Sequence, residues 1–252
     1  MSEIDDRLII AIDTPSISRA QLIIETTRDV CQNYKFGMTF FERNSMSDVS
    51  TLYDHFVFKA MIDKKYHDVP SQVADAVEEL ASYQFVRYAT IHISGGREML
   101  TQAIAASNVG VIGRMESLKL LGITVLTSLD DNDLVDIIPQ SPLFGTDEWV
   151  AHLDKLATTV QLPGRVCAAR EVSDMRQREL SAGTEKILVV PGISIGASAN
   201  PGQKRIGSPG QAIKDGASHI VVGRYITQKG VLDMLDATNT ILTDMAKAAD
   251  HE

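Results

Sequence analysis

Cysteine is nearly absent from this chain. Cys31 and Cys167 are the only two, far apart and without C-x-x-C spacing, which excludes a disulfide framework and a cysteine-built structural zinc site. A surplus of positive charge is missing as well. The 24 Lys and Arg stand against 33 Asp and Glu for a formal net charge of -9, so the chain as a whole attracts neither nucleic acid nor an anionic membrane. An anionic substrate would need a local basic pocket. No apolar run is long enough to span a bilayer, and the acidic start Met1-Ser2-Glu3-Ile4-Asp5-Asp6-Arg7 has neither the basic nor the apolar region of a signal peptide. A reducing, cytoplasmic setting is therefore expected. G-x-x-x-x-G-K-[ST], G-x-G-x-x-G and H-E-x-x-H are all lacking, which removes P-loop, Rossmann and zincin chemistry.

What is present is enough apolar material for one sizeable core, 44% of 252 residues, arranged in a repeating pattern. Short runs rich in Val, Ile, Leu and Phe alternate with segments of helical periodicity, as when each strand of a parallel sheet returns through a helix. Eight such runs are expected as strands: 8–12, 34–38, 56–62, 85–91, 118–126, 165–168, 187–190 and 219–222. Eight strand-helix units in this length predict an α/β fold, a single (β/α)8 TIM barrel spanning 1–252 with no domain boundary. Helix signals accompany the strands. Ser18 and Gln21 have capping-box spacing, Val73, Val77, Leu80 and Ala81 share one face, and so do Trp149, Val150, Leu153, Leu156 and Ala157. Ser208-Pro209 opens a short helix that Gly216 closes.

In such a barrel, chemistry sits where strands end, and several polar residues fall there together. The densest group is Asp63-x-Lys65-x-x-Asp68, ending the third strand. Strand alternation puts Asp63 and Lys65 on one face with Asp68 on the next turn, a cation held between anions and kept protonated, ready to donate. Asp13 follows the first strand, Lys35 lies in the second, Thr127 and Ser128 end the fifth, and Arg224 follows the eighth. The loop over about 192–207 is long and rich in small residues, which predicts a lid. Its backbone N-H groups, Gln203 as a neutral donor and Arg224 as a bidentate clamp suit a phosphate. His92 reads as a hydrogen-bonded histidine near the core, and His67 as a packing or capping residue.

Laid out this way, the chain resembles the orotidine 5'-monophosphate decarboxylase family, collinearly from Leu8 to Gln228. The resemblance is carried by Ile10-Ala11-Ile12-Asp13, Tyr34-Lys35-Phe36-Gly37, Asp63-x-Lys65-x-x-Asp68-Val69-Pro70, His92-Ile93-Ser94-Gly95-Gly96-Arg97-Glu98-Met99, Leu126-Thr127-Ser128, Pro191-Gly192-Ile193, Gln203-Lys204-Arg205 and Val222-Gly223-Arg224. It implies cofactor-independent decarboxylation of orotidine 5'-monophosphate in pyrimidine biosynthesis, with no metal, by a homodimer with shared active sites. Lys35, Asp63, Lys65 and Asp68 match the family's charged network, with Lys65 as proton donor and Asp68 given to the neighbouring subunit. Asp13 matches a ribose contact, Thr127 a contact near the pyrimidine, and Gln203, Gly223 and Arg224 the phosphate grip.

The chain departs from the family at Gln72, where a Thr that reaches the neighbouring site is common, at Ser194 in place of a frequent Arg, at Gly202 where Asp is frequent, and at Tyr225 in place of Pro. None of these touches the charged network, so altered affinity or lid behaviour is expected with the chemistry retained. Two other functions fit parts of the pattern. One is a magnesium-dependent sugar-phosphate decarboxylase or synthase of the same superfamily, against which the second cation, Lys35, argues. The other is a non-catalytic nucleotide-binding homologue, against which the desolvation of an unused charge network argues.

Overall fold

The computed structural model of the chain describes residues 4–109, 117–137, 145–195 and 207–249. Most of the expected lid, with Gly202 and Gln203, lies outside them. Eight strands, β1 Leu8–Ile12, β2 Asn33–Gly37, β3 Lys59–Tyr66, β4 Val86–His92, β5 Lys119–Ile123, β6 Gly164–Val166, β7 Ile187–Val190 and β8 His219–Val222, pair in chain order as a closed parallel barrel. β1 meets β8 in the register Leu8↔Ile220, so no sheet edge is left open. The connections carry α1 Ile17–Thr27, α2 Met38–Phe41, α3 Met46–Phe56, α4 Pro70–Ser82, α5 Gly96–Ser107, α6 Asp131–Ile137, α7 Thr146–Thr159, α8 Val172–Ser181, α9 Pro209–Lys214 and α10 Arg224–Thr227, and α11 Val231–Ala249 follows. No helix among the described residues is long and apolar enough to cross a membrane.

The expected apolar stripes are the buried faces of their helices. Val73, Val77, Leu80 and Ala81 are the buried residues of α4, and Val150, Leu153 and Ala157 anchor α7, with Trp149 and Leu156 packed at the margin of the core. Ser208 precedes Pro209 at the start of α9, and Gly216 beyond its end has φ of +101°, open to a residue without a Cβ. The first helix corrects the sequence reading. Its N-cap is Ser16, whose side chain accepts the Arg19 N-H, whereas Ser18 already lies inside the helix. Phe56 and Met38 belong to helices, β5 stops at Ile123 rather than Leu126, and β3 runs on to Tyr66.

Period-two alternation sorts each strand into two cores. Leu8, Ile10 and Ile12 join the large layer beneath the helices, while Ile9, Ala11, Met61, Leu121, Val189 and Val221 form a separate plug inside the barrel. The positions in step with the plug are polar at both barrel ends. At the N-terminal end stand Asn33, Lys59, Tyr88 and His219, where Lys59 pairs with Asp6 and the Tyr88 Oη lies 3.2 Å from His219 Nε2. Asn33 ties the same Asp6 through its side-chain amide. On the outward-facing series, fully buried Arg165 donates to Asp154, to Thr158 and to the Leu162 carbonyl, joining β6 to α7.

His219 makes folding sensitive to acid. Burial holds its ring down to about 4 against an ordinary 6.5, and its Nδ1 has no hydrogen-bond partner among the described residues. At pH above about 6.5 the ring is neutral folded or unfolded. Below that the unfolded chain takes a proton that the folded chain refuses until about pH 4, so stability falls across this window. Urea denaturation between these pH values is expected to show the decline, and His219→Gln to flatten it; an unchanged slope in that variant assigns the effect elsewhere.

Candidate active site

The opposite end of the barrel gathers the charges. Lys35 on β2 reaches between two carboxylates, its Nζ 2.9 Å from Asp13 Oδ1 and 3.2 Å from Asp63 Oδ2. Asp63 Oδ1 in turn takes the Lys65 Nζ at 2.9 Å. Asp13, Lys35, Asp63 and Lys65 thus form an alternating chain across β1, β2 and β3. The inner pair is sealed, with side chains 11% and 12% exposed for Lys35 and Asp63, while Lys65 is 37% and Asp13 46% exposed.

Burial alone would push Lys35 down, but the Asp63 and Asp13 carboxylates reverse it, and the ammonium is held above its ordinary value. Burial would likewise raise Asp63, and the two lysines with Thr90 bring it below the carboxylate norm. Both inner groups are therefore ionised near neutrality. Gly37 leaves room for this arrangement: a Cβ there would stand 3.0 Å from Lys35 Nζ and 3.2 Å from Asp13 Oδ1.

Lys65 does not reach its place by plain alternation. Along β3 and β4, Ile62 pairs with Ala89 but Tyr66 with Ile91, so four steps on one strand face two on the other. The extra residues bulge, and Lys65 takes φ of +52°, left-handed and disfavoured for a residue with a Cβ. Thr90, fully buried on β4, closes the bulge. Its Oγ1 accepts the Lys65 N-H and donates to Asp63 Oδ1, each at 2.9 Å. Sequence reasoning missed Thr90. The available signal was its alternation with Tyr88 and His92 on the interior series of β4.

A cavity of about 280 Å³ opens over the four charges. Its floor is the plug residues Ala11, Met61 and Val221, and Thr127, Gly192, Gly223 and Arg224 complete its wall. Of the sequence-expected site residues, Asp13, Lys35, Asp63, Lys65, Thr127, Gly223 and Arg224 therefore share one cavity. Asp68, Gln72 and Ser128 do not line it; all three are exposed, and Asp68 Oδ1 accepts the Val69 N-H at 2.7 Å. Gln203 lies outside the described residues. The described ends of the expected lid are joined by a bridge between Ile193 and Gly207.

Two other residues near the mouth are accounted for. Cys167 lines the cavity, but burial pushes its thiol well above the ordinary value, which leaves it a poor nucleophile. His92, expected to be hydrogen-bonded, is instead held by ring contact with His67, their centroids 5.2 Å apart, and burial followed by the His67 and Lys65 charges lowers its pKa.

With this geometry in view, residues 6–234 match the model of the orotidine 5'-phosphate decarboxylase / HUMPS family. The chain is similar to proteins named orotidine 5'-phosphate decarboxylase in Ehrlichia chaffeensis, 37% identical over 95% of this chain and 97% of that one, and in Gluconobacter oxydans, 37% identical over 96% and 98%. Among solved structures it resembles the crystal structure of orotidine 5'-phosphate decarboxylase from Lactobacillus acidophilus, with a TM-score of 0.77 at 27% identity, covering 95% of this chain and 99% of that one.

The alternating chain makes Asp63 its keystone. Asp63→Asn removes the carboxylate that does most to hold Lys35 protonated and leaves two ammoniums facing one amide. The Lys35 pKa, followed by NMR of the lysine side chains, is expected to fall, and stability to drop by about 3 kcal/mol, the scale for breaking one buried pair. Asp13→Asn is expected to have a smaller effect on both, because Asp13 is half in solvent.

Proposed function

This chain belongs to the orotidine 5'-phosphate decarboxylase / HUMPS family, and we propose that it converts orotidine 5'-monophosphate to uridine 5'-monophosphate, a step of pyrimidine nucleotide synthesis. The observation that carries this reading is the ammonium of Lys65, tethered to Asp63 yet open to the cavity. Breaking the bond between C6 and its carboxylate leaves an electron pair in the plane of the pyrimidine, where ring conjugation cannot spread it. Stabilisation has to come from preorganised charge at C6. Lys65 supplies that charge and then its proton to C6, and the resulting amine regains a proton from solvent.

The other side chains take roles that suit their positions. Asp63 fixes Lys65 and faces the departing carboxylate, Lys35 holds Asp63 ionised, and Asp13 at the exposed end of the chain contacts the ribose. Thr127 lies toward the pyrimidine, with Ser128 on the same turn. Arg224 and the Gly223 backbone receive the phosphate, with Gln203 from the lid of about 192–207. Phosphate binding far from the reacting carbon drives closure and so contributes to turnover. The chain acts as one barrel over 1–252 and as a cytoplasmic homodimer, each protomer lending Asp68 and Gln72 to its partner's site. Exposure of both residues away from their own cavity supports the exchange.

The family's other branch uses magnesium on its carboxylates. Here Asp13 and Asp63 are each already engaged by the Lys35 ammonium, which favours the metal-free reaction. A spectroscopic assay for loss of orotidine 5'-monophosphate tests the reading directly: turnover should survive EDTA, and loss restored by magnesium would point to the other branch. Binding of the nucleotide without turnover would indicate the non-catalytic homologue. Lys65→Ala is expected to lower kcat at least about 10³-fold while uridine 5'-monophosphate binding stays measurable.

Shared sites predict complementation. Lys65→Ala and Asp68→Ala protomers, each inactive alone, place both lesions in one site of a mixed dimer and leave the other site intact. Equal mixing after subunit exchange is expected to restore about a quarter of wild-type activity. No recovery in demonstrably mixed dimers would show that Asp68 serves its own protomer.

A further inference from the structure

We propose that Thr90 is a positioning residue for the proton transfer. Its hydroxyl sets where the Lys65 ammonium stands, without touching the substrate. The inference rests on the decarboxylase reading above and deepens it by assigning a role to a residue outside the cavity.

The hydrogen bonds around Thr90 close a ring. The Lys65 backbone N-H donates to Thr90 Oγ1, Thr90 Oγ1 donates to Asp63 Oδ1, and Asp63 Oδ1 accepts the Lys65 Nζ, each at 2.9 Å. One hydroxyl thereby fixes the root of Lys65 directly and its tip through Asp63. The direction of the relay is not free. Thr90 Oγ1 has a single hydrogen, and the incoming Lys65 N-H occupies a lone pair, so that hydrogen is committed to the carboxylate. Thr90 is fully buried, which shields the two bonds of its hydroxyl from competing water.

Two consequences follow for the reaction. Lys65 holds a left-handed backbone at φ +52°, and an L-residue keeps such a conformation only where its surroundings over-determine it. The bond from Lys65 N-H to Thr90 is the tether that does so, on a bulge where the regular β3-β4 ladder is interrupted. Relaxation of φ toward the extended region would swing the side chain and carry the ammonium away from C6. The second consequence comes after the proton has left. A neutral Lys65 amine no longer anchors Asp63 as a cation, but the Thr90 hydroxyl still donates to Oδ1 and Lys35 still holds Oδ2. The carboxylate then stays in register to receive Lys65 when it is reprotonated.

Thr90→Val keeps the shape and deletes the hydroxyl, and Thr90→Ser keeps the hydroxyl. For the valine variant we expect kcat to fall about 10- to 100-fold, the effect of displacing a reacting group by roughly 1 Å. KM and uridine 5'-monophosphate affinity should stay within about twofold, since binding groups are untouched. Exchange of the C6 hydrogen of uridine 5'-monophosphate with deuterium in D2O, which reports the proton step alone, should fall in parallel, and Thr90→Ser should recover most of both. Wild-type kcat and exchange in Thr90→Val, or equal losses in binding and turnover, would overturn the inference. If the valine variant fails to fold, Thr90→Ser and Thr90→Cys decide: the weaker thiol donor should be slower than serine, and equal rates would overturn it. A wild-type protein without turnover or exchange would instead defeat the decarboxylase reading itself.

Discussion

The Asp63 carboxylate, receiving Lys35 on one oxygen and Lys65 with Thr90 on the other, is the constraint on which the barrel mouth depends. Two ammoniums this close would repel, and a lone carboxylate this buried would take up a proton. Each charge is tolerable only because the next has the opposite sign. Alternation therefore answers a stability problem and a chemical one together: the arrangement that permits burial also keeps Lys35 protonated and both ammoniums fixed before substrate arrives. Electrostatic groups that need not reorganise during reaction are worth more than mobile ones.

The barrel supplies this constraint through parity. On each strand every second side chain enters the interior, where a plug of Ile9, Ala11, Met61, Leu121, Val189 and Val221 separates two polar ends. The N-terminal end holds Tyr88 against His219 and Lys59 against Asp6, and the cavity opens at the other end. Polar groups below the plug serve folding and those above it serve the site, the division expected of this architecture. Glycine at position 37 belongs to the same logic, since the ion pair occupies the space its side chain would need.

Much of this was legible in the sequence because it depends on alternation and on strand ends. Eight apolar runs identified the barrel, and Asp13, Lys35, Asp63, Lys65, Thr127, Gly223 and Arg224 fell at positions that a barrel brings together. What escaped depends on irregularity. The bulge in β3 and the left-handed Lys65 leave no signature in Ile62-Asp63-Lys64-Lys65, which reads as a strand running out. Thr90 has ordinary strand propensity, and its role exists only because a neighbouring strand bulges toward it. Ser16 rather than Ser18 caps α1, a choice between nearby residues of equal propensity that is settled by where the chain leaves β1. Asp68 and Gln72 mark a second limit: both are exposed, and within one protomer a residue that would be offered to a partner looks like any solvent-facing residue.

That limit bears on the electrostatics of the proposed dimer. Within one protomer the chain of Asp13, Lys35, Asp63 and Lys65 sums to zero, two cations against two anions. Asp68 from the partner would tip the site negative just where a substrate carboxylate must sit beside Asp63. The balance favours the reaction in one direction. In the proposed reaction, decarboxylation takes the negative charge off the carboxylate, which leaves as neutral CO2, and moves it onto C6, where Lys65 would quench it. A protomer with its own four charges is suited to hold a proton donor in place. In the proposed dimer the fifth, from the partner, would make the carboxylated ring the less comfortable state, and the proposed phosphate contacts at Gly223 and Arg224 would keep that ring bound despite it.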